Sequence, residues 1–510
     1  MADYTTNTGV MEREIFKFTQ KISEGMARPF QKFAADVCYG AMASKSCLIS
    51  EMAQALQEDT QKINTIERLT RHLGNEVPEA VRGNYLNVAT KYLPESVVVH
   101  IDDSDVVKPC GKAFEGIDRV RDGSKSTQTK SVMGNGYYVT EATALTYSNH
   151  PVSVFSEVWS TQSPEYTSGG QFEYTKKAVR ACVDKLGHVI FVMDRGYDDN
   201  DVFRLLDKYE QEYVIRLKLN RKVRIQGEKH SIGELCSKYK GKYKAKVIYH
   251  GRKRKARLSV VKGCLSGSDR LLSIILIYGL SGHPMVLATN LNTDTKAQLI
   301  AAMRHYFSRW RIEEYFRCKK QMFSFENFRV RSLTAINSLN FFLSACMLFL
   351  ATLRETREKN CHFKICIDAA APLKPKVFFF YYRLAEGLYT LLSKAHSGIR
   401  GYFKPLKPNQ RQLKIRGFAA LNRSCTFDAV SIFALFDFYE NSNNILALKM
   451  DKLGQFIHKV SQLCATKKRL IPESFGIKRL FVISYSSSQN PKHCGTYLLR
   501  CGLLPIPAVL

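Results

Sequence analysis

Strand and helix patterns follow one another in a fixed order between residues 96 and 219, and this order most constrains the fold. Three β-branched strand patterns precede a helical pattern ending at Gly187, a fourth strand, a second helix and a fifth strand. The segments are SVVVHIDD, GYYVTEATALTY, PVSVFSEVWS, GGQFEYTKKAVRACVDKLG, HVIFVMDRG, DDNDVFRLLDKYE and EYVIRLKL. The order β-β-β-α-β-α-β predicts a mixed sheet, of α+β or α/β class, with helices on both faces.

Two of these strands end in carboxylates. The first apolar run ends at Asp102 and Asp103, and the fourth ends at Asp194. An aspartate after a strand is most often a turn or helix-cap residue, so each position alone is weak evidence for catalysis. Side chains alternate along a strand, which puts Asp102 and Asp103 on opposite sides. The strand pattern alone leaves the choice between these two residues open.

The polar, aromatic-rich stretch HYFSRWRIEEYFRCKKQ predicts one helix with four functional side chains on one face. At about 100° per residue, Arg309, Glu313 and Lys320 lie roughly −60°, −20° and −40° from Tyr306. Glu314 lies roughly 100° from Glu313, so geometry selects one of two adjacent carboxylates. A solvated face with salt bridges is the alternative interpretation. A single carboxylate among cationic side chains favours a site that holds a metal ion beside a phosphate.

The spacing Tyr-x2-Arg-x3-Glu-x6-Lys resembles the signature of the insertion-sequence-four family of bacterial DDE transposases, and the resemblance covers roughly residues 95–350. That family has an RNase H-like core, with one aspartate in an Asp-x-Ser/Thr context after the first strand and another after the fourth. The resemblance therefore implies an RNase H-like fold. It also implies that Asp102, Asp194 and Glu313 are catalytic, with Asp103 in reserve for Asp102.

The same resemblance implies how these residues act. The three carboxylates would hold two Mg²⁺ ions, with Mn²⁺ able to substitute, since hard cations prefer oxygen ligands and two ions serve both oxygens of a phosphodiester cleavage. The residues expected to bind DNA phosphates are Tyr306, Arg309, Lys320, Arg195 and Arg317. A surface charge is an equal alternative for Arg195.

The implied function is cut-and-paste transposition, in which the protein cleaves DNA at the ends of a mobile element and transfers the 3′-hydroxyl into target DNA. The expected partners are the terminal inverted repeats and target DNA as double strands, bound by a homodimer in a paired-end complex. Two other classes remain open: a metal-dependent nuclease or resolvase without strand transfer, and a transposase-derived DNA-binding protein without catalysis.

Charge agrees with a nucleic-acid partner. The chain has 76 Lys and Arg against 46 Asp and Glu, a net charge of +30, and a pI near 9.6. Such an imbalance favours attraction to phosphate. Basic runs concentrate between Arg216 and Lys262, where lysines that keep a strand edge soluble are the alternative to a DNA-facing role. The glycine- and serine-rich loop after Asp102 carries further cations for flanking DNA, beginning with Lys108.

The patterns divide the chain into three regions. Residues 1–94 read as a helical DNA-binding region, in which a weak helix-turn-helix pattern is matched equally well by a plain bundle. Residues 95–350 form the catalytic domain, with a basic, strand-rich insertion at 219–285 before the glutamate helix. Residues 351–510 form a partly helical region expected to contact DNA and join two protomers.

The chain carries no pattern for export or for a disulfide framework. The apolar stretch Ala335–Leu353 is near the lower length limit for a membrane span, but its asparagines and serines favour a buried helix. The expected location is the cytoplasm, associated with the nucleoid. Fourteen cysteines lack paired spacing and read as reduced thiols. A zinc site from Cys361, His362, Cys366, His493 and Cys494 is a less favoured alternative.

Overall fold

The computed structural model describes residues 4–403, apart from 124, 128, 164–165, 167–169, 250–251, 357–359, 374–376 and 396–397, together with two short strands near the C-terminus. The chain divides into two units, residues 1–405 and 406–510. In the second unit, strands Val482–Ser484 and Arg500–Gly502 pair antiparallel. Most of the predicted C-terminal region 351–510, with its expected dimer contacts, lies outside the described residues, as do His493 and Cys494.

Five helices form the N-terminal part, as predicted. They are α1 Tyr4–Ile22, α2 Arg28–Ser44, α3 Ile49–Leu56, α4 Lys62–Leu73 and α5 Glu79–Thr90. The break between α2 and α3 begins at Lys45, which adopts a left-handed conformation with φ of 52°. The buried faces of these helices join one core with side chains as distant as Ile399. The predicted boundaries at residues 94 and 350 stay predictions, because this core crosses both.

The central sheet follows the predicted order. Its first elements are β1 Val98–Val107, β2 Asp118–Arg121, β3 Met133–Leu145, β4 Pro151–Trp159, α6 Gln171–Leu186, β5 Ile190–Met193, α7 Asn200–Lys208 and β6 Glu212–Arg216. The strands lie side by side as β4-β3-β1-β5-β6, with β1, β5 and β6 parallel and β3 antiparallel to both its neighbours. This mixed α+β architecture is consistent with an RNase H-like fold, which confirms the predicted fold class.

The loop after β1 differs from its prediction in two ways. It contains β2, which pairs with β3. Lys108, expected to contact DNA, is buried instead, and its ammonium donates to the carbonyls of Glu326 (2.8 Å) and Phe328 (2.5 Å). The same ammonium lies 4.2 Å from the centre of the Phe328 ring. These contacts anchor the loop to the segment after the glutamate helix, a tertiary role that charge counting does not reveal.

The two faces of the sheet pack against different helices. On β1, Val99 and Ile101 belong to the cluster that contains Ala178 of α6, whereas Val98 belongs to a second cluster with Met303. By alternation, the residues two and four positions after Val98 therefore face the segment that carries the predicted glutamate helix. His100 and Asp102 lie on this side.

The strand-rich insertion is confirmed, and it extends the central sheet. Its elements are β7 Lys222–Ile225, β8 Glu228–Ser231, α8 Ile232–Lys238, β9 Tyr243–Tyr249, β10 Arg252–Leu265 and β11 Leu271–Tyr278, after which the chain returns to the core as β12 Met285–Thr289. Because β12 pairs with β6, the sheet continues as β6-β12-β11-β10-β7-β8, and β9 pairs with β10. The pairs that involve inserted strands are antiparallel.

The glutamate helix is two helices, which corrects the prediction of one. These are α9 Lys296–Ser308 and α10 Trp310–Met322, joined at Arg309. At the junction, the Arg309 amide donates to the Tyr306 carbonyl (3.1 Å) and the Ile312 amide donates to the Arg309 carbonyl (3.0 Å). These three-residue spacings tighten the turn and shift the angular relation of Tyr306 to Glu313. Thr295 caps α9 through a capping box with Gln298.

The long apolar helix is α11 Leu333–Glu355, followed by α12 Asn360–Ala369 and α13 Tyr381–Leu392. Its length and composition would allow a membrane span, but 83% of its most apolar stretch is buried inside the protein. This confirms the prediction of a buried helix. Phe342 and Phe349 of α11 pack against Phe33 and Phe18 of the N-terminal helices, with ring centres 5.1 and 5.4 Å apart.

Candidate active site

The strand register brings Asp102 and Asp194 to the same level of the sheet. In the parallel pair β1 and β5, Ile101 is opposite Met193, so the next residue on each strand is the predicted aspartate. The prediction placed Asp102 at the end of its strand. In the structure β1 continues to Val107 through pairing with β3, and only its parallel pairing with β5 ends beside Asp102.

The carboxylate of Asp102 is mostly buried and faces α10. Its Oδ2 accepts a hydrogen bond from the Arg309 guanidinium at 2.8 Å. Burial raises the pKa of Asp102 to about 7, with Arg309 opposing the rise and the carboxylates of Asp194, Asp103 and Glu313 adding to it. The neighbours that act on Asp102 therefore include both other members of the predicted triad.

Asp103 points to the opposite side, as strand alternation predicts. Its two oxygens accept hydrogen bonds from the Thr140 hydroxyl on β3 and the Gln171 amide at the start of α6. Burial raises the pKa of Asp103, while these donors and the Tyr197 hydroxyl lower it. These contacts to β3 and α6 hold Asp103 away from Arg309, and they favour Asp102 as the residue that faces the candidate site.

Asp194 begins a short 3₁₀ turn, Arg195–Tyr197, and its side chain accepts a hydrogen bond from the Gly196 amide. This is the cap role that the sequence left open as an alternative. One carboxylate can cap a turn through one oxygen and keep the other for a ligand. Arg195 is exposed on the same turn.

Arg309 lies between two of the three carboxylates. Its guanidinium bridges Asp102, at 2.8 Å, and Glu313 of α10. Burial would lower the pKa of Arg309, but Asp102, Tyr306 and Glu313 raise it. Because Arg309 occupies the junction of α9 and α10, the local turn decides where its charge is placed. The structure thus joins β1 and α10 through one partly buried cation.

The other predicted phosphate ligands are more dispersed. Tyr306 of α9 is 5% exposed and belongs to the same hydrophobic cluster as Met303. Burial raises the pKa of Tyr306, while Arg309 and Arg216 lower it. The Lys320 ammonium donates to the Asp105 carbonyl and pairs with Glu326 at 3.0 Å. Arg317 pairs with Glu314 at 2.8 Å, on an exposed part of α10. Tyr306 thus stays close to Arg309, whereas Lys320 and Arg317 have carboxylate partners outside the predicted triad.

Comparison with known proteins gives one family. Residues 173–350 match the family model described as the transposase DDE domain. The match spans α6 to α11 and includes Asp194 and Glu313, while Asp102 precedes it. No curated protein matches the chain. The match supports a transposase that acts on and cleaves DNA, and the narrower insertion-sequence-four assignment stays a prediction.

Transposases with a DDE domain generally use divalent metal ions, and carboxylate oxygens suit magnesium. In the part of the chain that the structure describes, however, no group of three or more His, Cys, Asp and Glu side chains is placed to hold a metal ion. The Arg309 guanidinium instead binds oxygens of Asp102 and Glu313. The oxygen donors of Asp102, Asp194 and Glu313 suit a divalent ion, and Arg309 now binds two of these three carboxylates.

Two buried groups beside the candidate site were missed by the sequence analysis. Burial and the Arg309 charge lower the pKa of His100 to about 3. The Nε2 atom of His100 lies 2.8 Å from the Ser308 hydroxyl. Lys319 of α10 forms a buried pair with Glu141 of β3 at 3.4 Å. The strand position of His100, two residues before Asp102, was the available signal. The spacing of Lys319, seven residues after Ile312 and four after Tyr315, places it on the buried face of α10, but this pattern does not indicate Glu141 as its partner.

Proposed function

We propose that the chain is a DNA transposase that cleaves phosphodiester bonds at the ends of a mobile element and transfers the freed 3′-hydroxyl to target DNA. The observation that carries the proposal is that the partly buried Arg309 bridges Asp102 and Glu313, while the register of β1 and β5 brings Asp194 to the level of Asp102. The DDE-domain match over residues 173–350 supports the cleavage step. A homodimer on paired element ends, of the insertion-sequence-four type, completes the proposal.

In this proposal Asp102, Asp194 and Glu313 would hold the Mg²⁺ ions, which would supply activation of the attacking oxygen and stabilisation of the leaving oxygen. The protein supplies the positioning: β1 and β5 fix the aspartates at one level, and α10 carries Glu313 to the guanidinium that also binds Asp102. Arg309 balances the carboxylate charge before metal binds, and its planar guanidinium suits a forked contact with a phosphate afterwards.

The side chains proposed to contact phosphate differ in their present partners. Arg195 is exposed directly after Asp194. Lys320 and Arg317 would exchange their carboxylate partners, Glu326 and Glu314, for DNA phosphate. Such exchange is inexpensive for partly exposed ion pairs, which contribute about 0–1 kcal/mol.

A second surface, the basic ribbon, supports a duplex DNA partner. We define it as the exposed cations Lys244, Lys246, Lys255 and Arg257 on strands β9 and β10. In the antiparallel register Lys244 is opposite Arg257, and Lys246 is opposite Lys255. Like charges in opposed positions destabilise a strand pair. No acidic group among the described residues forms an ion pair with these four, so a polyanion is the partner that offsets their repulsion.

Neutralising the basic ribbon is expected to weaken DNA binding in a salt-dependent way. Each phosphate contact contributes roughly 0.9 to the slope of log K against log salt, so changing all four residues to glutamine should reduce the slope by about 3 to 4. Fluorescence anisotropy with a labelled duplex, repeated over a range of salt concentrations, measures this slope.

A matched control removes the same number of positive charges from two helices outside the basic ribbon. The control residues lie on α6 and α7 and are Lys176, Arg180, Arg204 and Lys208, each changed to glutamine. If both quadruple variants lower the slope equally, the effect is one of net charge, and the ribbon does not contact DNA.

The function itself is tested with a supercoiled plasmid that carries candidate element ends. Wild-type protein is incubated with Mg²⁺, and a parallel reaction contains EDTA. We expect nicks or breaks at the element ends only with Mg²⁺. A pre-cleaved end with a free 3′-hydroxyl should then join a second plasmid.

The products distinguish the three classes of protein. End cleavage followed by joining supports the transposase. Cleavage without joining of the pre-cleaved end indicates a nuclease or resolvase. DNA binding without cleavage under any metal condition contradicts the enzyme and leaves a DNA-binding derivative.

A further inference from the structure

A buried ion pair lies behind the candidate active site. The Lys319 ammonium of α10 is 3.4 Å from Oε2 of Glu141 on β3, and the two side chains are 2% and 0% exposed. Ion pairs this deeply buried are uncommon, because removing both charges from water costs several kcal/mol per ion. Burial lowers the pKa of Lys319, and Glu141 opposes that effect.

Hydroxyl groups from two further elements complete the pair. Ser153 and Ser156 of β4 donate hydrogen bonds to the two oxygens of Glu141, the second at 2.8 Å. The Lys319 ammonium donates to the Ser344 hydroxyl of α11 at 2.9 Å. The pair is thus held by β3, β4, α10 and α11 together, so its position is defined on every side.

The location of this pair relates it to the predicted triad. In the register of β1 and β3, Glu141 is the residue opposite Asp102. Lys319 is on the same helix as Glu313, less than two turns further along. The contact therefore ties the helix that carries one catalytic carboxylate to the strand beside another, on the face of the sheet where Asp102 lies.

We infer that Lys319 and Glu141 form a positioning pair that fixes α10, so that Glu313 faces Asp102 and Asp194 in the geometry that binds metal. This inference rests on the proposed function of the three carboxylates. Stability alone does not account for the pair, since well-packed apolar residues in place of a buried ion pair are often neutral or stabilising. What apolar residues do not reproduce is the directional link between α10 and β3.

The test is the double variant Lys319→Met with Glu141→Leu, which replaces both charges with apolar side chains of similar length. We expect the urea midpoint to be retained, because no unpaired charge is left buried. We expect Mn²⁺ affinity, measured by electron paramagnetic resonance of free Mn²⁺, to fall about tenfold, as for other groups that orient metal ligands. Amide hydrogen exchange should become faster in α10 and stay unchanged in α9.

A control uses another ion pair in the same compact unit, in which the aspartate is buried and the arginine is partly exposed. Asp36 and Arg68 lie 2.8 Å apart in the N-terminal helices, and the change of these residues to Leu and Met should leave Mn²⁺ affinity and α10 exchange unchanged. If the Lys319–Glu141 double variant does not fold, Lys319→Met with Glu141→Gln carries the same measurements, because glutamine keeps the size and an acceptor for the serine hydroxyls and no unpaired charge is left buried.

The outcomes separate this inference from the proposed function. A folded double variant with wild-type Mn²⁺ affinity and unchanged α10 exchange overturns the positioning role. If the wild type itself binds no Mn²⁺ and cleaves no DNA, the proposed function fails. In that case faster α10 exchange in the double variant still supports a positioning pair, and unchanged exchange overturns it.

Discussion

Asp102→Asn is expected to abolish DNA cleavage while leaving DNA binding intact. Asparagine keeps the size of the side chain but removes the charge that a divalent ion requires, and a metal ion contributes several kcal/mol of transition-state stabilisation. We therefore expect a loss of at least about 100-fold in the rate of plasmid cleavage. The rate is measured at equal DNA occupancy, with occupancy set by anisotropy in EDTA.

The same variant is expected to have a higher free energy of unfolding than the wild type at pH 8. The pKa of Asp102 in the fold, about 7, lies above its ordinary value of 3.8. Ionised Asp102 therefore destabilises the metal-free protein, beginning above the ordinary pKa and reaching its full extent above pH 7. The corresponding free energy is on the order of 4 kcal/mol. Asp102→Asn should gain up to this amount at pH 8 and nothing at pH 4, measured by urea unfolding in EDTA.

Asp103→Asn is the control, because it removes a carboxylate from the adjacent residue. Thr140 and Gln171 hold the oxygens of Asp103 on the other side of the strand. We expect this variant to retain most of the cleavage activity. Loss of cleavage in Asp103→Asn with retention in Asp102→Asn would contradict the assignment and exchange the roles of the two residues.

Arg309→Gln is expected to destabilise the metal-free protein and to increase its dependence on divalent ions. The change leaves Asp102 and Glu313 without the cation that now bridges them. Removing one partner of a partly buried, charged hydrogen-bonded pair costs on the order of 1 to 3 kcal/mol. Because bound Mg²⁺ would neutralise the same oxygens, adding it should restore stability more in the variant than in the wild type. Urea unfolding in EDTA and in Mg²⁺ measures both effects.

Arg317→Gln provides the comparison for this second prediction. Its guanidinium pairs with Glu314 at 47% exposure, so its loss should cost less than about 1 kcal/mol in either condition. An equal response of the two variants to Mg²⁺ would mean that Arg309 does not occupy the place of the metal.

The order of the sheet was predictable because each core strand carries its own signal. Buried parallel strands such as Ile190–Met193 read as continuous apolar runs, and their neighbours are restricted by the helices between them. Asp102 and Asp194 were predictable for a related reason, since the apolar runs on β1 and β5 each lead directly to an aspartate. The resemblance of the helical spacing then added Glu313.

Other parts of the site depend on tertiary contacts that no local pattern encodes. The break between α9 and α10 arises at Arg309, whose neighbours have ordinary helical propensity. Lys108 and Lys319 are buried among carbonyls, hydroxyls and aromatic rings contributed by distant segments, whereas lysine is normally an exposed residue. The insertion extends the central sheet because β12 pairs with β6, and no local sequence pattern predicts that pairing.

The core shared by α11 and the N-terminal helices limits how the two regions can evolve. Phe33 and Phe18 fill space beside Phe342 and Phe349, and the Tyr85 hydroxyl donates to the Ser153 carbonyl of β4 at 2.9 Å. A gene fusion that exchanged the first five helices for those of a distant relative would therefore bring together side chains never selected to fit. Substitutions that this arrangement tolerates should fall on exposed helix faces, with the interior conserved as one inherited block.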